Sequence, residues 1–166
     1  MPDAARTALT LAALALLVVL AAVWGWSAAT ESLPAKVDRP VCVDTDIKAG
    51  DRLYPQQVTV SVYNASAREG LAGRTMREFR DAGFAEGQAG NAQRTRVSTA
   101  AIWTTDPGSP AVALLASYLG DVSVERRDGL GPGVTVVIGS EFGQLAKGDT
   151  SVQVQEDTAI CSPPVD

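Results

Sequence analysis

Arg74, Arg77 and Arg80 recur at three-residue spacing, and Arg68 stands six residues before them. On a helix the three would share a face. Guanidinium forks match phosphate and carboxylate oxygens, so such a stripe could grip an anionic polymer. The competing reading is an exposed face balanced by Glu69, Glu78 and Asp81. Asn64 offers a second candidate, an amide presented to a ligand at a strand end. Asn64-Ala65-Ser66 also matches a glycosylation sequon, although a turn and a helix cap account for the same residues.

Other candidates are weaker. Asp44-x-Asp46 with Asp51 resembles the start of a calcium loop, but Lys48 holds the third acidic position and the terminal Glu is missing, so a solvated turn fits better. Gly129-Leu130-Gly131-Pro132-Gly133 precedes a strand, not a helix N-terminus, so it reads as a hairpin or crossover loop and not a phosphate cradle. The chain has no histidine, which excludes His-based triads and His metal sites. The residues therefore nominate a binding set of Asn64, Arg68, Arg74 and Arg77, with no catalytic set, no metal set and no cofactor.

The elements that must position this set show in the hydrophobic pattern. Gln57 to Tyr63 alternates, with Val58, Val60 and Val62 on one face and Thr59 and Ser61 on the other, as a half-buried strand does. Ser66 and Glu69 fit a capping box ahead of a helix from Gly70 to Ala82. Leu71, Ala72, Met76, Phe79 and Ala82 form its apolar face; Gly83 ends it in the left-handed region and Phe84 packs back. A weak strand near Ala85–Ala89 and a polar loop follow. A second unit repeats the plan: a strand over Thr99–Thr104, Ser109 as N-cap with Pro110 at the first helical position, and an apolar stripe through Ala111, Leu114, Leu115, Tyr118 and Leu119. Gly120 stops that helix, Val122 and Val124 begin a strand, and Val134 to Ile138 is apolar enough to be central. Val152 and Val154 mark a peripheral strand that would bring Cys161 back toward Cys42. The pattern predicts an α+β fold: two strand-helix-strand units in a split β-α-β sandwich, helices on one face of the sheet, after an N-terminal transmembrane helix.

No charge interrupts Thr7 to Thr30, a run of about 24 residues where about 20 suffice to span a bilayer. Trp24 and Trp26 suit the interfacial belt. A cleaved signal peptide is the alternative, with small residues at Ser27-Ala28-Ala29, but its apolar region is usually about 7–15 residues long. Flanking charges nearly cancel; a long C-terminal domain crosses regardless of charge, so the N-terminus is expected inside and the domain outside. Residues 1–7 would be cytoplasmic, 8–29 the anchor, 30–40 a linker with Pro34 and Pro40, 41–161 the domain and 162–166 a frayed tail. An oxidising compartment favours a Cys42–Cys161 bridge. It would close a loop of about 120 residues and contribute about 2–4 kcal/mol, two buried free thiols being the alternative. The net charge of −5 argues against a nucleic-acid surface and against anionic lipid heads.

The ordered set Val60-Ser61-Val62-Tyr63-Asn64, Gly70-Leu71-Ala72, Gly83-Phe84, Gly90-Asn91, Leu119-Gly120, Val136-Val137-Ile138-Gly139 and Glu141-Phe142 resembles the LytR C-terminal domain family, over about 58–142. The turn departs from that pattern, reading Asn64-Ala65-Ser66 where many members have Asn-Gly, and the segments holding Cys42 and Cys161 lie outside the match. The family occurs in cell-envelope proteins of Gram-positive bacteria, including actinobacteria, often behind a LytR-CpsA-Psr ligase domain. That ligase domain is not present between the anchor and the matched core. The resemblance, to stand-alone members such as actinobacterial envelope integrity proteins, implies a non-catalytic, membrane-anchored accessory role in the cell envelope. The implied partner is a LytR-CpsA-Psr ligase or another envelope membrane protein. Direct binding of peptidoglycan or arabinogalactan is the alternative, and envelope glycan processing a third reading.

Overall fold

The computed structural model describes residues 3–30, 40–93 and 95–164. Most of the expected linker, and the last two residues of the expected tail, lie outside the described residues. The chain divides into two units, Met1–Arg39 and Pro40–Asp166.

The first unit carries α1 (Asp3–Thr30). Within it Arg6–Trp26, 21 residues of mean hydropathy 2.5, is long and apolar enough to cross a membrane. At 1.5 Å per residue that length is about 31 Å, close to the hydrocarbon thickness of about 30 Å. Its Leu and Val side chains are exposed along the whole length.

The second unit carries, in order, β1 (Val43–Ile47), β2 (Arg52–Leu53), β3 (Thr59–Asn64), α2 (Leu71–Asp81), β4 (Ala85–Asn91), β5 (Ala100–Thr104), α3 (Pro110–Leu119), β6 (Val122–Arg126), β7 (Val134–Ile138), β8 (Val152–Gln153) and β9 (Thr158–Ser162). Five strands form the central sheet in the order β4-β3-β7-β5-β6. The α+β sandwich expected from the sequence is present. Within each strand-helix-strand unit the two strands are direct, parallel neighbours, and β7 lies between the units, parallel to β3 and antiparallel to β5. The split thus falls between units, because the most apolar strand takes the centre: Val136, Val137 and Ile138 are fully buried.

Both helices cover one face. Leu71, Met76 and Phe79 of α2 and Leu114, Leu115 and Tyr118 of α3 share a core with Val60, Val62, Ile102, Val136 and Ile138. Each fully buried Leu or Phe contributes about 1.5–3 kcal/mol of transfer free energy. The start of α3 and the end of α2 follow the sequence reading. Ser109 Oγ accepts from Ala111 N at 3.3 Å with Pro110 at N1. Gly83, at φ 97°, donates to Arg80, Phe84 donates back to Phe79, and the two Phe rings meet edge to face at 5.3 Å.

The opposite face differs from expectation. β3 was expected to be half-buried; all six of its residues are buried. The loop from β6 to β7 crosses this face and seals it. Ser61 Oγ donates to the Pro132 carbonyl at 2.6 Å, and Tyr63 Oη to the Leu130 carbonyl at 2.7 Å. Arg127 lies 3.6 Å over the Trp103 ring. The crossover sits so low that a Cβ on Gly131 would stand 2.7 Å from Tyr63 Oη.

The ends of the unit also depart from the sequence reading. Asp44 and Asp46 stand on a strand, not in a turn: β1 pairs antiparallel with β9. The strand at Val152 pairs with β2, and it is β9 that returns Cys161 to Cys42. Ser162, expected to open a frayed tail, is a buried member of β9 whose Oγ donates to the Gln57 carbonyl at 2.6 Å.

Candidate functional site

The nominated residues fall into two groups. Asn64 and Arg68 build a loop; Arg74 and Arg77 face solvent on α2.

Asn64 ends β3 with its side chain buried, and its amide is used on both sides. Oδ1 accepts from Ser66 N at 2.9 Å and from Ser66 Oγ at 2.7 Å, while Nδ2 donates to the Arg68 carbonyl at 2.7 Å. This is an Asx-turn. It draws Ser66 away from the helix, so the expected capping box with Glu69 does not form. The N-cap of α2 is Gly70, at φ 71°, with no side-chain cap. Arg68 turns from the helix as well: its Nη1 donates to the carbonyls of Ser140 at 3.1 Å and Phe142 at 2.7 Å. It fastens the β3–α2 loop to the segment after β7.

On α2 one of the carboxylates expected to balance the arginines, Glu78, has another partner. Glu78 Oε2 accepts from Leu145 N at 3.1 Å, and Arg80 pairs with Glu86 of β4 at 3.6 Å. Among the described residues, neither Arg74 nor Arg77 lies within ion-pair distance of a carboxylate. Arg77 Nη1 reaches back along the helix, 3.9 Å from where a Gly73 Cβ would stand.

That places the Arg77 head beside a groove of about 300 Å³ at the C-terminal ends of β3 and β4. Gly70, Ala72 and Gly73 form its helix wall, Ala89 and Gly90 its strand wall, and Asn64 and Asn91 close it. Small residues on both walls let a ligand approach the backbone. The sequence reading did not nominate Gly73, Ala89 or Asn91 for a site. The available signal was Gly73, since a glycine in a helix interior costs about 1 kcal/mol relative to alanine.

A larger hollow of about 530 Å³ lies between the start of α3 and the β8–β9 region. Two of its three acidic groups are engaged: Asp106 Oδ1 accepts from Gly108 N at 3.1 Å, and Asp157 holds Lys48 and Ala49 N, each at 2.9 Å. The Ala49 amide and the Lys48 ammonium lower the Asp157 pKa. The Asp157 carboxylate raises that of Lys48 in turn. This exposed clip joins the turn after β1 to the turn before β9. Cys42 and Cys161 form a disulfide, their Cα atoms 5.3 Å apart, next to the β1–β9 pairing. Asp51 accepts from Lys48 N at 3.1 Å, so it closes the turn after β1.

Comparison with known proteins adds the following. The soluble domain (residues 71–217) of a conserved hypothetical secreted protein of Mycobacterium marinum, an Rv2700 ortholog, is 26% identical; the match covers 62% of this chain and 80% of that one, with a TM-score of 0.46. The C-terminal domain of Rv0431 is 23% identical, over 66% of this chain and 89% of that one, with a TM-score of 0.34. No curated protein matches this chain. The family model described as LytR cell envelope-related transcriptional attenuator matches residues 57–142. That stretch is more than half of the chain and holds the central sheet, both covering helices and the groove, and the chain therefore belongs to the LytR C-terminal domain family.

Proposed function

We propose that this chain is a non-catalytic accessory protein of the cell envelope, held at the membrane by α1 with its domain outside, where it binds an envelope membrane protein such as a LytR-CpsA-Psr ligase. The observation that carries the reading is the short tether. Nine residues, 31–39, join a helix of spanning length to a domain of an envelope-related family. A fully extended residue spans at most about 3.3–3.6 Å, so nine residues can span at most about 32 Å. A domain so confined meets partners at the membrane surface at high effective concentration. The disulfide supports an oxidising location. Crosslinking of the full-length chain in native membranes tests the reading: recovery of a membrane-associated envelope protein supports it, and recovery of wall polymer alone counts against it.

Direct binding of peptidoglycan or arabinogalactan is the second reading, favoured by the exposed Arg74 and Arg77, which have no carboxylate partner among the described residues. It predicts that the protein pellets with purified cell wall and that Arg74→Gln with Arg77→Gln weakens pelleting.

A further inference from the structure

We propose that the outer edge of β4 docks an extended, acidic segment of a partner protein by strand addition, with Arg77 and Arg74 meeting its carboxylates. This deepens, and rests on, the reading that the chain binds an envelope protein.

β4 is one edge of the central sheet and is hydrogen-bonded on one side, to β3. Its outward backbone groups have no strand partner among the described residues. Proteins usually guard such edges with charge, proline or a bulge. The other edge, β6, is guarded in this way: Glu125 and Arg126 lie on it, and Asp121 and Asp128 flank it. On β4 the guards are confined to the first half. Glu86 is there, and the register shift in the pairing falls between Val60 and Val62 of β3. Beyond it Ala89, Gly90 and Asn91 run in regular register with Val62, Tyr63 and Asn64, small and uncharged.

Charge completes the case. α2 runs beside β4 with Arg80 at the Glu86 end and Gly73 at the Ala89–Gly90 end, where the two line one groove. Arg77 stands between them, and Arg74 lies one turn nearer the groove. Both are exposed cations without carboxylate partners among the described residues, in a chain of net charge −5. A strand laid on β4 would send alternate side chains toward α2. Carboxylates at those positions would meet the arginine forks, and one side chain would enter the groove over Gly73.

The test places a photocrosslinking residue at Ala89, and in a second variant at Ser123 on the β6 edge strand, in the full-length chain in its native membrane. The expected result is a protein adduct from Ala89 and none from Ser123. Mass spectrometry should map it to an extended partner segment carrying at least two acidic residues. Capture of a protein without that mapping is not support. Arg74→Gln with Arg77→Gln should lower the Ala89 adduct roughly three- to tenfold, as two partly exposed ion pairs allow. An adduct to a neutral segment, to a second copy of this chain, or from Ser123 alone overturns strand addition at β4 while leaving a protein partner in place. Glycan adducts with no protein at either position remove the parent reading.

Discussion

Arg68 donates to the Phe142 carbonyl at 2.7 Å, tying the loop before α2 to the end of the family-matched segment. Of the arginines that the sequence arrays as one stripe, this one is structural. Arg68→Ala should lower stability by about 1.5–3 kcal/mol, the range for hydrogen bonds to charged groups, toward the lower end because the side chain is exposed. Arg74→Gln and Arg77→Gln should stay within about 0.5 kcal/mol of the parent. Urea unfolding of the three variants checks this; equal losses would return Arg68 to the stripe.

Asn64 holds the same loop from inside. Asn64→Ala removes three hydrogen bonds and leaves the Arg68 carbonyl without its donor. A loss of about 2–3 kcal/mol is expected. Asn64→Ser should recover part of it by keeping an acceptor for Ser66. Thermal melts of both variants measure the difference.

The β6–β7 crossover lies against β3 without room for another atom. Gly131→Ala would press a methyl group on Tyr63 Oη and Ser61 Oγ and should destabilise by about 1–3 kcal/mol. In Tyr63→Phe the same substitution should cost less, because one of the two oxygens it strikes is gone. A double-mutant cycle reads the coupling.

The Lys48–Asp157 clip gives a pH signature. The folded pKa of Asp157 is lowered, so its contribution is present above the ordinary aspartate value and is lost as pH falls from about 3.9 through the folded value. The folded pKa of Lys48 is raised, so its contribution is full below about 10.4 and is lost as pH rises through the folded value. Between these limits the Ala49 amide, which donates to Asp157, should be protected from hydrogen exchange. Its protection, corrected for intrinsic exchange, should fall on acidification, and Asp157→Asn should flatten that dependence.

Much of this was readable beforehand where one local signal had one meaning. Ser109-Pro110 could only start a helix well, Gly120 could end it, and four β-branched apolar residues around Thr135 in Val134–Ile138 suited the sheet centre. The start of α2 was misread because Ser66 fits two hydrogen-bond schemes, and the Asn64 amide, two residues away, takes it first. β1 was hidden for another reason. Of its five residues only Ile47 is buried, the other four being exposed, and the strand exists through a partner 119 residues away, where the disulfide joins it. The candidate arginines were visible as a cluster, but the anchoring of Arg68 depends on carbonyls at Ser140 and Phe142 that no spacing rule reveals.

Crosslinking of the full-length chain in intact cells, with purification under denaturing conditions and identification of adducts, tests the central claim most directly. The account predicts covalent adducts to a membrane-associated envelope protein, formed from residues of the 41–161 domain on the outer side. Adducts to wall glycan alone, or to cytoplasmic proteins, would contradict it.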